Sequence, residues 1–377
     1  VIYLDHHAAT PVCAAARAAM DAARDVAWAN PASVHAAGRA ARALLERARR
    51  EVAEAIGAAA ADVVLTSGGT EACNLGIGGL GGALRGAHAI STRVEHPAVA
   101  RALDRLEREA GTRVTRLDVP GGRAPDAAAM RAALRPDTRV IAVQWVNHET
   151  GSVLPIAEYA EVARAAGVAL FVDATQAAGK RALDAAALGA DLIALASHKL
   201  GGPAGAGALW IRRGTDVAPV LAGGGQERGR RPGTPDVLGA VGFGAACTAL
   251  PERLAAQPRV ARLRERATAA LREMGAVING AAGENVATAV NASVRGARGE
   301  ELVAALDLEG VCASSGAACS SGLSEPSPVL LAMHPDEPWR AGAALRLSFG
   351  PETTESDVET ALAALRRVLA RLAPAET

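Results

Sequence analysis

Between about residues 60 and 215 the chain alternates between two kinds of segment. Short apolar or β-branched runs ("DVVLTS", "HAISTRV", "RVTRLDV", "RVIAVQWV", "VALFVDA", "ADLIALAS", "GALWIRR") read as strands. Ala/Arg/Glu-rich stretches such as "PAVARALDRLEREAG" (97–111) and "IAEYAEVARAAG" (156–167) separate them and read as helices, the second stopped by Gly167. Strand–helix alternation predicts an α/β fold with a mostly parallel sheet covered by helices on both faces. Beyond Pro251 the style changes. A charged helix over 251–274, strands in "VATAVNASV" and "ALRLSFG", and a closing amphipathic helix over about 356–372 predict a smaller α+β unit. The expected division is a large domain over 13–250 and a small one built from 1–12 and 251–377. The Gly/Arg/Pro-rich stretch 221–236 is long enough for a structureless loop to imply function or disorder.

Composition narrows the class. With 377 residues, half of them apolar and only 2% aromatic, the core must be built from small side chains and closely approaching backbones. Lys+Arg and Asp+Glu balance at 40 each, so nothing in the total charge calls for nucleic acid or a membrane surface as partner. Five scattered cysteines without a C-x-x-C pair argue against a disulfide framework or a zinc site, and no signal peptide or spanning segment is expected. The expected setting is reducing and cytoplasmic.

The strand ends carry the chemistry. "LIALASHKLGG" runs an apolar strand into Lys199, where burial would depress the amine's pKa and make it a nucleophile. An isolated Ser-His-Lys would be read as a surface lysine. "FVDATQAAGK" ends another strand in Asp173, either a helix cap or a carboxylate for a protonated ring nitrogen. Together they point to a cofactor with both a pyridinium and an aldehyde, namely pyridoxal phosphate. "LTSGGTEACNL" offers its phosphate a Gly-rich helix start at Gly69 and Thr70, although such turns are common. His96, just before a Pro-initiated helix, is either a structural hydrogen-bonder or a proton carrier. Cys319 sits in "SSGAACSSG", with no large apolar neighbours to bury it.

These motifs, in this order with "YLDHHAATPV", "NPASVHAAGR", "VNHETG", "GGGQERGRRPGT" and "LRLSFGPETT", resemble the cysteine desulfurases of the class V aminotransferase group, within the fold-type I pyridoxal phosphate enzymes. The resemblance spans nearly the whole chain. It implies that Lys199 binds the cofactor's aldehyde, Asp173 pairs with the ring nitrogen, Gln176 bonds the ring hydroxyl, and His96 stacks on the ring as acid and base. It places Gly69, Thr70 and His198 at the phosphate, joined by Thr234 from the partner subunit of a homodimer. Arg346 grips the substrate α-carboxylate, Asn30 lies near the site, and Cys319 is the nucleophile that takes sulfur from L-cysteine as a persulfide for an acceptor protein. A length match between "SSG" and "EPS" places the chain in the long-loop subgroup, so residues 314–324 are expected to be mobile.

Three departures accompany the resemblance. His148 stands where the family has a second Asn, and is expected either to donate in its place or to go with a different substrate preference. Ala196 replaces a phosphate-binding Ser, and either Ser197 compensates or phosphate affinity is expected to fall. The family's scaffold-binding C-terminal tail is not expected. Cys13, Cys73, Cys247 and Cys312 read as small hydrophobes. The rival readings are a selenocysteine lyase on the same fold, a non-catalytic relay partner, and a nucleic-acid binder supported only by the Arg cluster near 228–231.

Overall fold

The structure is a computed structural model and describes residues 1–280, 284–316 and 325–372. Cys319 and most of the segment expected to be mobile lie outside the described residues.

All seven predicted runs become strands of one sheet: β2 (Val63–Thr66), β3 (His88–Thr92), β4 (Arg113–Leu117), β5 (Thr138–Gln144), β6 (Ala169–Asp173), β7 (Leu192–Ala196) and β8 (Gly207–Ile211), after a short β1 (Ile2–Tyr3). Their order is β2-β8-β7-β6-β5-β3-β4. Only β8 runs antiparallel to its neighbours, β2 and β7. The remaining pairs are parallel, so β3, β5, β6 and β7 all end on one edge.

Period-two alternation sends successive side chains into different cores. Ile141, Val143, Ile193 and Leu195 pack on one face with Leu45, Val52, Tyr159 and Phe243. Val140, Ala142, Leu192 and Ala194 pack on the other with Leu75, Val99 and Leu103. Helices therefore cover both faces, and strands buried on both sides read as continuous apolar runs.

A second core joins strands β10 (Ala289–Ser293) and β12 (Ala344–Ser348) to helices Gln257–Glu273, Gly299–Leu308 and Glu355–Leu372. β10 pairs antiparallel with β12 and with β9 (Val277–Asn279). The helix expected over 251–274 is two helices, Leu250–Ala255 and Gln257–Glu273. Pro258 explains the break: it has no N–H to give an upstream turn, but fits the first turn of a new helix.

The N-terminus ties the two cores together. β1 pairs in parallel with β11 (Val311–Cys312), and Leu4 enters the second core. The chain then crosses to the large sheet, where Thr10 N–H donates to the His198 carbonyl (2.8 Å) and Cys13 N–H to that of Gly201 (2.7 Å). Residues 6–10 thus lie between the two units, over the strand ends. No helix among the described residues is long and apolar enough to cross a membrane.

Candidate active site

Where β2, β6 and β7 end, a cavity of about 360 Å3 opens. Gly68, Gly69, Thr70, His96, His148, Asp173, Gln176, His198 and Lys199 line it. Each comes from a turn following a strand, so the parallel sheet itself gathers them.

The turn after β2 requires glycine. Gly68 has φ +149° and ψ 178°, a region that is essentially glycine's alone. A Cβ on Gly207 would sit 2.6 Å from the backbone of Gly68, and one on Gly69 would sit 2.7 Å from Cγ2 of Thr175. The helix that follows, Gly69–Gly79, has no side-chain cap at its start. Its first N–H groups have no intrahelical partners and its dipole is positive there, an arrangement that suits an anion. Glu71 braces the turn, accepting from the Ser67 N–H (2.5 Å) and from Arg231 Nε (2.9 Å). Burial pushes its carboxyl up, but those hydrogen bonds outweigh burial and hold it below the usual glutamate range.

Asp173, the last residue of β6, is buried, and its Oδ1 accepts from the Thr175 N–H at 3.0 Å. In the same turn the buried Gln176 donates through Nε2 to the His7 carbonyl (2.8 Å) and accepts at Oε1 from Lys180 Nζ. Lys199 closes the turn after β7 and donates to the carbonyls of His7 (2.5 Å) and Ala8 (2.8 Å). His198 is held down to about 4 by burial and by the charges of Lys199 and Lys180.

His96 caps helix Pro97–Ala110, its Nδ1 accepting from the Ala98 N–H at 3.1 Å. A nitrogen that accepts a hydrogen bond carries no proton, so Nε2 is the exchanging nitrogen. Burial lowers its pKa, Asp173 works against this, and Lys199 adds to it. The neighbouring Glu95 is raised to about 8 by burial. The His148 ring meets the His96 ring edge-on, centroids 4.9 Å apart at 79°. Burial, then His96 and Arg346, hold His148 well below the usual histidine value.

Some expected residues sit elsewhere. Ser197 does not line the cavity: its fully buried Oγ faces Gly202, where a Cβ would lie 2.1 Å away, and has no partner among the described residues. Ala196, His198 and Lys199 face the cavity, while the Ser197 hydroxyl points away from it toward Gly202. Thr234 lines a separate cavity with Ser67 and Arg231, and Asn30 another with Arg49 and Glu227. Arg346, on β12, lies behind His148. Its Nη2 donates to Asp5 Oδ1 (2.8 Å) and its Nη1 to the His148 carbonyl (3.0 Å), while Nε has no partner among the described residues. The backbones of Ser314 and Arg346 exchange hydrogen bonds, which places the stem of the Cys319 segment beside Arg346.

Sequence reasoning missed Asp5, Lys180 and the carbonyls of His7 and Ala8. Cys73 is the small buried apolar residue expected: it packs in the core against β6 and reaches the cavity wall, and burial, then Asp173, raise its thiol so that it stays neutral. Asp5 meets Arg346 across more than 300 residues, and nothing local announces that pairing.

Comparison with known proteins adds a family. Residues 2–361 match the family model described as "Aminotransferase class-V". The chain is 40% identical to an IscS-like cysteine desulfurase of Mycobacterium tuberculosis, covering 98% of this chain and 96% of the relative. It is 42% identical to the cysteine desulfurase IscS of an Anaeromyxobacter species, covering 96% and 90%. Among solved structures, a NifS-like protein superposes with TM-score 0.91 at 27% identity, covering 98% and 99%. The structure described as SspA in complex with cysteine gives TM-score 0.79 at 28% identity, covering 94% and 100%.

Proposed function

This chain belongs to the class-V aminotransferase family, and on that premise we propose that it is a pyridoxal-phosphate-dependent cysteine desulfurase. It would convert L-cysteine to L-alanine and hold the sulfur as a persulfide on Cys319 for an acceptor protein. The observation that carries the reading is the convergence of Asp173, Lys199, His96 and the uncapped helix start at Gly69 on one cavity.

The residues fit the cofactor. About 360 Å3 is within the usual range for a small-molecule site. Gly69 and Gly207 allow the close packing that shapes this turn, since a Cβ would meet Thr175 or the Gly68 backbone, and Gly68 adopts a φ that favours glycine. Thr70 and His198 line the same cavity and would hold the phosphate, Lys199 the aldehyde, Asp173 the ring nitrogen and Gln176 the ring hydroxyl. When bound, the group supplies an electrophilic aldehyde and an electron-withdrawing ring.

The chain's own residues do the rest. Lys199 rests on two backbone carbonyls, which orient its amine at the floor of the cavity. His96, with Nδ1 fixed by the cap and its pKa lowered, is a neutral imidazole at neutral pH and takes protons at Nε2. Arg346, steadied by Asp5 and the His148 carbonyl, would hold the substrate carboxylate through its guanidinium. Cys319 attacks the substrate sulfur as thiolate.

A division into a cofactor-binding part (13–250) and a smaller part (1–12 with 251–377) fits the two separate cores. Thr234 lines a neighbouring cavity and not the one holding Lys199, which is compatible with its serving the partner's site in a homodimer. Free thiols at Cys13, Cys73, Cys247 and Cys312 support a reducing, cytoplasmic setting. The test is incubation of the cofactor-loaded protein with L-cysteine. Alanine and sulfide are expected in the presence of reductant, and absence of both would overturn the reading.

A further inference from the structure

Lys180 is an ionisable side chain behind the cavity wall, in contact with the lining residue Gln176, that the reaction described above does not use. It follows Gly179 in the turn after β6, and Gly179 takes φ +74°, closing that turn so that the lysine folds back toward Gln176. Its Nζ donates to Gln176 Oε1. The other end of the same amide donates from Nε2 to the His7 carbonyl at 2.8 Å. That carbonyl also receives Lys199 Nζ at 2.5 Å. A carbonyl oxygen can only accept, so the amide atom facing His7 must be nitrogen and the atom facing Lys180 must be oxygen.

The consequence is directional. With Lys180 on Oε1 and one Nε2 hydrogen on His7, Gln176 keeps its second N–H and one further lone pair of Oε1. Gln176 lines the cavity, and the second N–H is the donor it can offer there. The His7 carbonyl and Lys180 both favour this orientation, and loss of Lys180 would leave the amide held at its nitrogen end alone. We propose that Lys180 is a positioning residue: it locks the Gln176 amide so that the cavity receives a hydrogen-bond donor matched to the ring oxygen of pyridoxal phosphate, and through the shared His7 carbonyl it helps fix Lys199. This rests on the cofactor reading given above. Burial and the charges of Lys199, Arg253 and Arg346 hold the Lys180 amine well below the usual lysine value. The argument is unaffected, because an amine donates to Oε1 in either protonation state.

The experiment uses the full chain, stripped of cofactor and titrated with pyridoxal phosphate, reading both affinity and the absorption spectrum of the bound group. Lys180→Met is expected to weaken binding roughly three- to tenfold, the loss of one buried hydrogen bond, and to change the ratio of the absorption bands at fixed pH. Gln176→Leu is expected to do the same. Adding Lys180→Met to Gln176→Leu should then change little further, because the lysine acts through the amide. Lys180→Arg, which keeps a donor, should restore binding and spectrum to near wild type. Lys180→Gln, too short to reach, covers the case in which the methionine variant does not fold and should show the same loss. A wild-type spectrum in Lys180→Met or Lys180→Gln, or equal losses with and without Gln176, would overturn the inference. If the wild-type chain itself takes up no pyridoxal phosphate, the cofactor reading fails first, and that outcome is visible before any variant is made.

Discussion

At the residue scale, His96 combines two jobs that substitution can separate. Its Nδ1 caps a helix and, on the proposed reading, its Nε2 carries the proton transfer. His96→Asn keeps a capping oxygen but no titratable ring, so turnover should fall by about 100-fold or more while the melting temperature holds. His96→Ala should lose turnover and in addition about 1 kcal/mol of stability. Equal melting temperatures for the two variants would remove the capping role. Buried histidines also set an acid limit. His6 and His198 are both lowered to about 4, His6 by burial and then by Arg253 and Lys180. Between pH 4 and 6.5 the unfolded chain therefore binds more protons than the folded one. Their contribution to stability is present above about pH 6.5 and lost as pH falls toward 4. Thermal melts across that range should show the decline, and a flat profile would contradict it.

At the element scale, the turns rest on close backbone approaches. Gly207→Ala would put a Cβ 2.6 Å from the backbone of Gly68 and 2.7 Å from the Leu195 carbonyl oxygen, atoms that cannot move aside. A loss of about 1–3 kcal/mol is expected, together with weaker cofactor retention, measured by denaturant unfolding and by titration. Unchanged values would mean that the strand end is more yielding than its packing implies. The elements themselves were largely legible. Apart from the edge strand β4, which is half-exposed, strands β2 to β8 are buried almost throughout, and most therefore appear as apolar runs that periodicity can find. The strand-end residues Asp173, Lys199 and His96 were legible for the same reason, since each follows directly on such a run. What was not legible depends on distant contacts. Gln176 meets His7 across 169 positions and Arg346 meets Asp5 across 341. β1 has only two residues and exists because β11 is there to pair with it. The side of the chain that Ser197 faces was set by Gly202, whose missing side chain leaves the room its Oγ occupies.

At the scale of the whole molecule, the site is assembled from two cores and, on our reading, from two chains. Residues 6–10 bridge the strand ends of the large sheet and the second core, so that Lys199, His7, His148 and Arg346 form one connected set of contacts. On the proposed reading, in which Thr234 serves the partner's site, the active species is a homodimer. Sedimentation should report twice the chain mass, and a monomer with full activity would contradict this. The most direct measurement of the central claim is mass spectrometry of the cofactor-loaded protein after a short exposure to L-cysteine without reductant, with alanine assayed alongside. The account predicts a gain of one sulfur atom on the peptide carrying Cys319, formed together with alanine, and loss of both in Cys319→Ala with the cofactor still bound. Alanine formed at an undiminished rate by Cys319→Ala, or no sulfur on that peptide in the wild type, would contradict it.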